Sequence, residues 1–263
     1  MKYINILKRY ISIFKLFTKI NFIKDMQFRV HFITQIALMF VNSIISLINI
    51  LILMKFTPSI GGWNKTQILL LQGIIWIVDS IFGGLFFFSL IRIPNSVRNY
   101  DIDFILLKPI NNIFYVSMRY MNFGILFSSV WGIILIIFVT INYSIPIVNL
   151  LWFIFQLVPS ILIIYSIFFF IVTMSLRFIR VNGLIQMFWS IMDLGKNPGG
   201  IYNSWLRHIL VLVIPVLVIY NYPVSILWNG FNLGYTGIAM ILAIVLITAS
   251  TYFWQKSLAS IYQ

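Results

Sequence analysis

Carboxylate or imidazole chemistry in this chain could come only from five aspartates, Asp25, Asp79, Asp101, Asp103 and Asp193, and two histidines, His31 and His208, because glutamate is absent, as is cysteine. Without cysteine there is no disulfide, thiolate metal site or thiol nucleophile. Each histidine stands alone at the end of an apolar run, where a solvated interfacial imidazole needs no catalytic or metal role. The sequence holds no G-x-x-x-x-G-K-[ST] phosphate loop, no H-E-x-x-H and no G-x-S-x-G, so neither a nucleotide site of the usual kind nor a common hydrolase site can be assembled. Its only closely spaced carboxylates, Asp101 and Asp103, share one short polar-flanked segment. Asp79 is the one acid inside a long apolar run. A carboxylate there must face other helices and either stay protonated or find a partner, such as Ser80 or a residue on a neighbouring helix. Two roles stay open for it: a structural polar contact, or a part in substrate passage. A single intramembrane acid does not make a proton relay, and the other apolar runs offer no second one.

The elements that position these residues follow from composition. Of 263 residues, 61% are apolar and 9% charged, against about 25% charged in an average soluble domain. Basic residues outnumber acidic ones by 18 to 5, for a net charge of +13. They sit between the apolar runs, which points to a membrane surface and not to nucleic acid. A bilayer core takes about 20 apolar residues as helix. Spans are expected near 32–54, 68–91, 121–142, 147–174 and 236–254, with a shorter sixth near 209–224 that carries Pro215 and Pro223 and should kink or stop short. Six spans bring both termini to one side. That side then holds the basic N-terminal segment, Arg92, Arg98, Lys108, Arg119, Arg177, Arg180, Lys196, Arg207 and Lys256, leaving Lys55 and Lys65 opposite. By the positive-inside rule, this side is cytoplasmic. Trp63, Trp152, Trp205 and Trp254 fall near span ends, where indoles are favoured. The expected fold is thus an all-α integral membrane protein of about six transmembrane helices. Residues 1–30 form an amphipathic helix on the cytoplasmic surface, residues 31–263 form one transmembrane domain, and both termini are cytoplasmic.

Three segments carry most of the functional signal. In the first, Lys2, Asn5, Lys8, Arg9, Ser12, Lys15 and Lys19 share one helical face opposite Tyr3, Ile4, Leu7, Tyr10, Ile11, Phe14 and Phe17, the pattern of a helix lying on anionic lipid. The second runs from Arg92 to Phe114. Asp101 and Asp103 precede Phe104, Ile105, Leu106 and Leu107, and Lys108 and Pro109 follow, so a short helix with acids at its start and a stop at Pro109 is expected. Apolar side chains on such a loop suggest a protein contact, and the alternative is a turn packed on the chain's own helices. The third runs from Leu194 to Leu227. Residues 196–200 read as a turn, and the stretch from Tyr220 to Pro223 is placed near the outer surface as a lip of a pathway.

In these segments the chain resembles the six-helix permeases of type 2 ABC exporters. The resemblance rests on GGW at Gly61–Trp63, on D-I-D-F-I-L-L-K-P-I-N from Asp101 to Asn111, and on NPGGIYNSWLR followed by IPVLVIYNYP. With span count and length, it covers nearly the whole chain. The family commonly has a glycine and an acid before the Asp-Phe step, where this chain has Asn99, Tyr100 and Asp101. The resemblance implies a transport subunit that binds no cofactor, with ATP and magnesium held by a separate dimeric ABC ATPase. A second permease chain, identical or related, would complete the pathway in a bacterial inner membrane. It further implies that Arg98, Asp101, Asp103, Phe104, Leu106, Leu107, Lys108 and Pro109 form the ATPase-coupling loop, with Lys8, Arg9, Lys15 and Lys19 on the membrane-surface helix as a second lever. Asp79, Pro215, Tyr220 and Pro223 are the pathway candidates. The expected cargo is an amphipathic or lipid-like small molecule, peptide or drug, including antimicrobial or multidrug efflux. A competing reading is a non-transporting immunity or sensor protein that binds a peptide or toxin in the bilayer, and a third is an ion-coupled carrier.

Overall fold

The computed structural model describes residues 2–99, 101–178 and 181–259, with side chains from residue 6 onward. Tyr100, Arg180 and the side chains of Lys2, Tyr3, Ile4 and Asn5, used above, lie outside this set. Among the described residues there is no strand beyond one isolated bridge between Ile60 and Trp63. That follows from the solvent: in hydrocarbon every backbone N–H and C=O must be satisfied within its own segment, and a helix achieves this.

Helix α1 (Lys2–Gln27) meets α2 (Arg29–Phe56) at a single non-helical residue, Phe28. α3 (Lys65–Arg98) follows, and its start is fixed by a capping box in which Asn64 and Gln67 exchange side-chain and backbone hydrogen bonds of 2.9 and 3.0 Å. Two short helices, α4 (Ile102–Leu106) and α5 (Asn112–Met118), lead into α6 (Phe123–Asn142) and α7 (Ile147–Leu176). Then come α8 (Asn182–Gly195), α9 (Ser204–Val213), α10 (Val216–Asn229) and α11 (Leu233–Ala259). Among the described residues, five helices, α2, α3, α6, α7 and α11, are long and apolar enough to cross a bilayer.

The core forms where α3 packs on α6 and α10, and where α7 packs on α10 and α11. Small residues permit the tightest approach. A Cβ on Gly132 of α6 would stand 2.5 Å from the Gly73 carbonyl oxygen of α3, so the two backbones lie closer than side chains would allow. Phe82, Phe168, Phe188 and Tyr220 are fully enclosed. Trp254 joins them, its ring 5.3 Å from that of Phe169, and so packs in the core instead of anchoring at an interface as its position near a span end suggests. In contrast, only 6% of the most apolar stretch of α2 is buried, which leaves this helix facing outward along nearly its full length.

Two ends of the bundle can be distinguished. A basic end gathers α1, the segment 92–120 and the end of α7, where Arg177 lies 5.2 Å from the Phe253 ring of α11. The opposite end gathers residues 57–64, 143–146 and 229–232. Here lies the segment near 209–224, expected to kink or stop short, and it is sharply bent. Residues 204–229 form two helices, α9 and α10, whose axes differ by 97° across Ile214 and Pro215. Both arms of this bend sit at the opposite end. Gly200, just before α9, abuts Gly61, Arg207 shares a cleft with Trp63 and Gln67, and Asn149 donates to the Leu227 carbonyl at the far end of α10. The segment therefore enters and returns on one side. The passage from the basic end is made by α8, with Phe188 against Phe82 and Phe168, and is completed by residues 196–201. At 1.5 Å per residue, the 14 residues of α8 rise about 21 Å, less than a full bilayer core. Lys196 and Arg207 accordingly leave the basic end, where the charge count had placed them.

Candidate functional site

The acidic elbow at the basic end is smaller than its sequence suggests. Residues 102–106 make little more than one turn of helix, with Asp101 at its start. Ile102 is buried and Leu106 half-buried, while Phe104 and Leu107 stand 69% and 81% exposed. Lys108 does not cap the helix: its ammonium bonds the Tyr115 hydroxyl and lies 4.3 Å from that ring, which turns the chain toward α5. Arg98 is tied locally to Asn95 at 2.9 Å.

α1 is joined to this elbow directly. Arg9 donates to the Pro109 carbonyl at 2.7 Å, and the Asn111 N–H donates to the Tyr10 hydroxyl at 3.1 Å. Tyr10 and Phe17 pack on Phe114, and Asn21 donates to the Arg119 carbonyl at 2.9 Å. Further along, Asp25 accepts from the Phe123 N–H at the start of α6, at 2.9 Å. One face of α1 is thus committed to protein, while Leu7, Ile11, Leu16 and Ile20 point outward together with Lys8, Lys15 and Lys19. Arg9, read from the sequence as part of a lipid-facing basic face, donates to the elbow while staying exposed.

The second site surrounds Asp79. Its two carboxylate oxygens have separate partners: Tyr220 of α10 donates to Oδ1 at 2.6 Å, and the Lys196 ammonium approaches Oδ2 at 3.1 Å. Lys196 also pairs with Asp193 at 3.0 Å. Asp79 and Lys196 keep 27% and 26% of their side-chain exposure, so the pair is only partly withdrawn from solvent. Ser80, a partner considered from sequence, donates instead to the Ile77 carbonyl. Asn221, one residue beyond Tyr220, fastens the same loop by donating to the Gly195 and Asn197 carbonyls at 2.9 and 3.1 Å and accepting from the Gly199 N–H at 2.8 Å. Below Asp79, Phe82 and Phe87 of α3 meet Phe168 of α7 and Trp189 of α8 at centroid distances of 5.2–6.4 Å. Three elements distant in sequence therefore close on one carboxylate above an aromatic plug.

Tyr220 lies at this depth, fully enclosed, and not at the outer surface where the sequence reading put it. Residues 216–229 are helical throughout, with Pro223 inside the helix and Pro215 at its start, so the expected irregular lip is absent there. Lys196 and Asn221 were not singled out from the sequence. Their only advance signal is that Lys196 is the nearest basic residue to a Pro-Gly-Gly turn lying between two apolar segments.

A family model described as ABC-2 family transporter protein matches residues 40–263. Comparison with curated proteins and with solved structures returns no match.

Proposed function

The chain belongs to the ABC-2 family of transporter proteins, and from that premise we propose that it is the membrane-spanning subunit of an ATP-driven exporter. It works in a bacterial cell membrane with its basic end in the cytoplasm. Nucleotide and magnesium are bound by a separate ATPase pair, and a second permease chain completes the pathway. The cargo is amphipathic or lipid-like.

The observation that carries this reading is the pair Phe104 and Leu107, exposed at a short helix whose exit, at Pro109 and Asn111, is hydrogen-bonded to α1. Two large apolar side chains held in place on a water-facing elbow suit insertion into a partner's groove. Displacement of the elbow by an ATPase would move α1 and α3 together. α3 carries Asp79, so that motion bears on the contacts to Lys196 and Tyr220, and the two arrangements of this cluster would be the closed and open states of the pathway. ATP supplies the difference in free energy on the partner chain.

The test is the double substitution F104D/L107D. The variant should insert and fold normally yet lose co-purification with the ATPase and at least tenfold of any permease-dependent ATPase stimulation, given about 2 kcal/mol for each desolvated anchor lost. Undiminished stimulation would remove the coupling assignment.

A further inference from the structure

From the arrangement of Arg92 and Arg119, we infer that the basic end binds the phosphate of an anionic phospholipid. Both guanidinium groups are held against one ring: Arg92 Cζ lies 3.9 Å, and Arg119 Cζ 4.8 Å, from the Tyr120 centroid. Arg119 also lies 5.1 Å from the Tyr115 ring. Aromatic faces orient the two cations and leave their N–H forks free for a planar or tetrahedral anion. Among the described residues, neither guanidinium has a carboxylate within ion-pair distance, although Asp101 borders the same cleft. Two cations that line one cleft without an ion-pair partner are placed to take an external anion.

The surrounding shape favours a lipid over a soluble phosphate. A cleft of about 460 Å³ holds Arg92, Arg119, Ser96 and Asn99, and a second of about 360 Å³ shares Arg92 and Tyr120 with it. The second cleft is walled by Phe28, Phe32 and Phe88, with Lys24 and His31 at its edge and Asp25 turned to the Phe123 N–H. Its aromatic wall continues into α2, whose Val30 and Ile33 are 77% and 62% exposed. A phosphodiester on the arginine pair would thus send its acyl chains along the outward face of α2. Phosphate oxygens accept well from paired arginines, and the apolar wall supplies what a free phosphate cannot use. The inference rests on membrane insertion alone and is independent of the ATPase assignment.

The test is native mass spectrometry of the detergent-purified full chain, titrated with phosphatidylglycerol, with phosphatidylcholine and with sn-glycerol 3-phosphate. Wild type should retain phosphatidylglycerol in preference to the other two. R92Q and R119Q should each weaken its binding about fivefold, the scale set by one basic residue near a charged membrane surface. K65Q, at the opposite end, should bind as wild type does. Arg92 is exposed, so R92Q reads out binding even if R119Q folds poorly. Equal phosphatidylglycerol binding by wild type and R92Q overturns the site. Equally tight binding of glycerol phosphate overturns the lipid as its occupant.

Discussion

Asp79 shows how one residue type at one position limits what a membrane protein can do. Its carboxylate is expensive in a low-dielectric setting unless both oxygens are engaged, and here a phenol and an ammonium engage them. The D79N substitution removes the ion pair and leaves Lys196 with the exposed Asp193 alone. Because the pair is about a quarter exposed, the cost should fall below that of breaking a fully buried pair, at roughly 1–3 kcal/mol. A lowered detergent unfolding midpoint would record it. K196M should cost a similar amount, and D79N/K196M together less than the sum, since the only charge the double variant leaves unpaired is the largely exposed Asp193. Strict additivity would mean that the two side chains do not interact as described. The importance of Asp79 was legible in the sequence, because it is the only acid within a long apolar run. Its partners were not: hydropathy reports how apolar a window is, and says nothing about which remote loop folds back onto it.

Among the elements, the five long helices were legible for the same reason, since length and hydropathy suffice to define a span. The kink at Pro215 was legible as well, but the path from α8 to α10 was not, because its two apolar stretches are each too short to be decisive. α8 carries Asn182, Gln186 and Asp193, which dilute its apolar character, whereas residues 209–227 look like a single run although Pro215 turns the chain through 97°. Local chemistry at the turn accounts for the return. A Cβ on Gly200 would stand 2.0 Å from the Gly61 carbonyl oxygen, so only glycine allows the 196–203 loop to reach the α2–α3 connection. G200V should therefore destabilise the protein by about 2 kcal/mol or more, as an overpacked contact with backbone, and should loosen the loop that holds Lys196. A midpoint unchanged in a thermal melt would show that the two loops are not in contact. The helical course of α1 was legible, but which of its residues meet the rest of the chain was not, because Arg9 and Tyr10 differ from their neighbours only in what lies opposite them.

For the molecule as a whole, the excess of basic residues at one end survives the transfer of Lys196 and Arg207 to the other part of the bundle. The absence of cysteine makes the topology directly measurable. Single substitutions K108C, K65C and R207C in intact cells, treated with a membrane-impermeant thiol reagent, should label at 65 and 207 and label at 108 only after permeabilisation. Protection of R207C alongside K108C would contradict the re-entrant path of α9 and α10.

On the proposed reading this chain receives work from nucleotide hydrolysed on another polypeptide, delivered at the elbow formed by residues 101–109. Photo-crosslinking in native membranes from an aryl-azide probe on L107C, with K65C as the control at the far end, tests it most directly. One dominant adduct is expected at 107, whose peptides, sequenced by mass, belong to a phosphate-loop ATPase, and none at 65. An elbow that captures only lipid, or an ATPase found equally at 65, would contradict it.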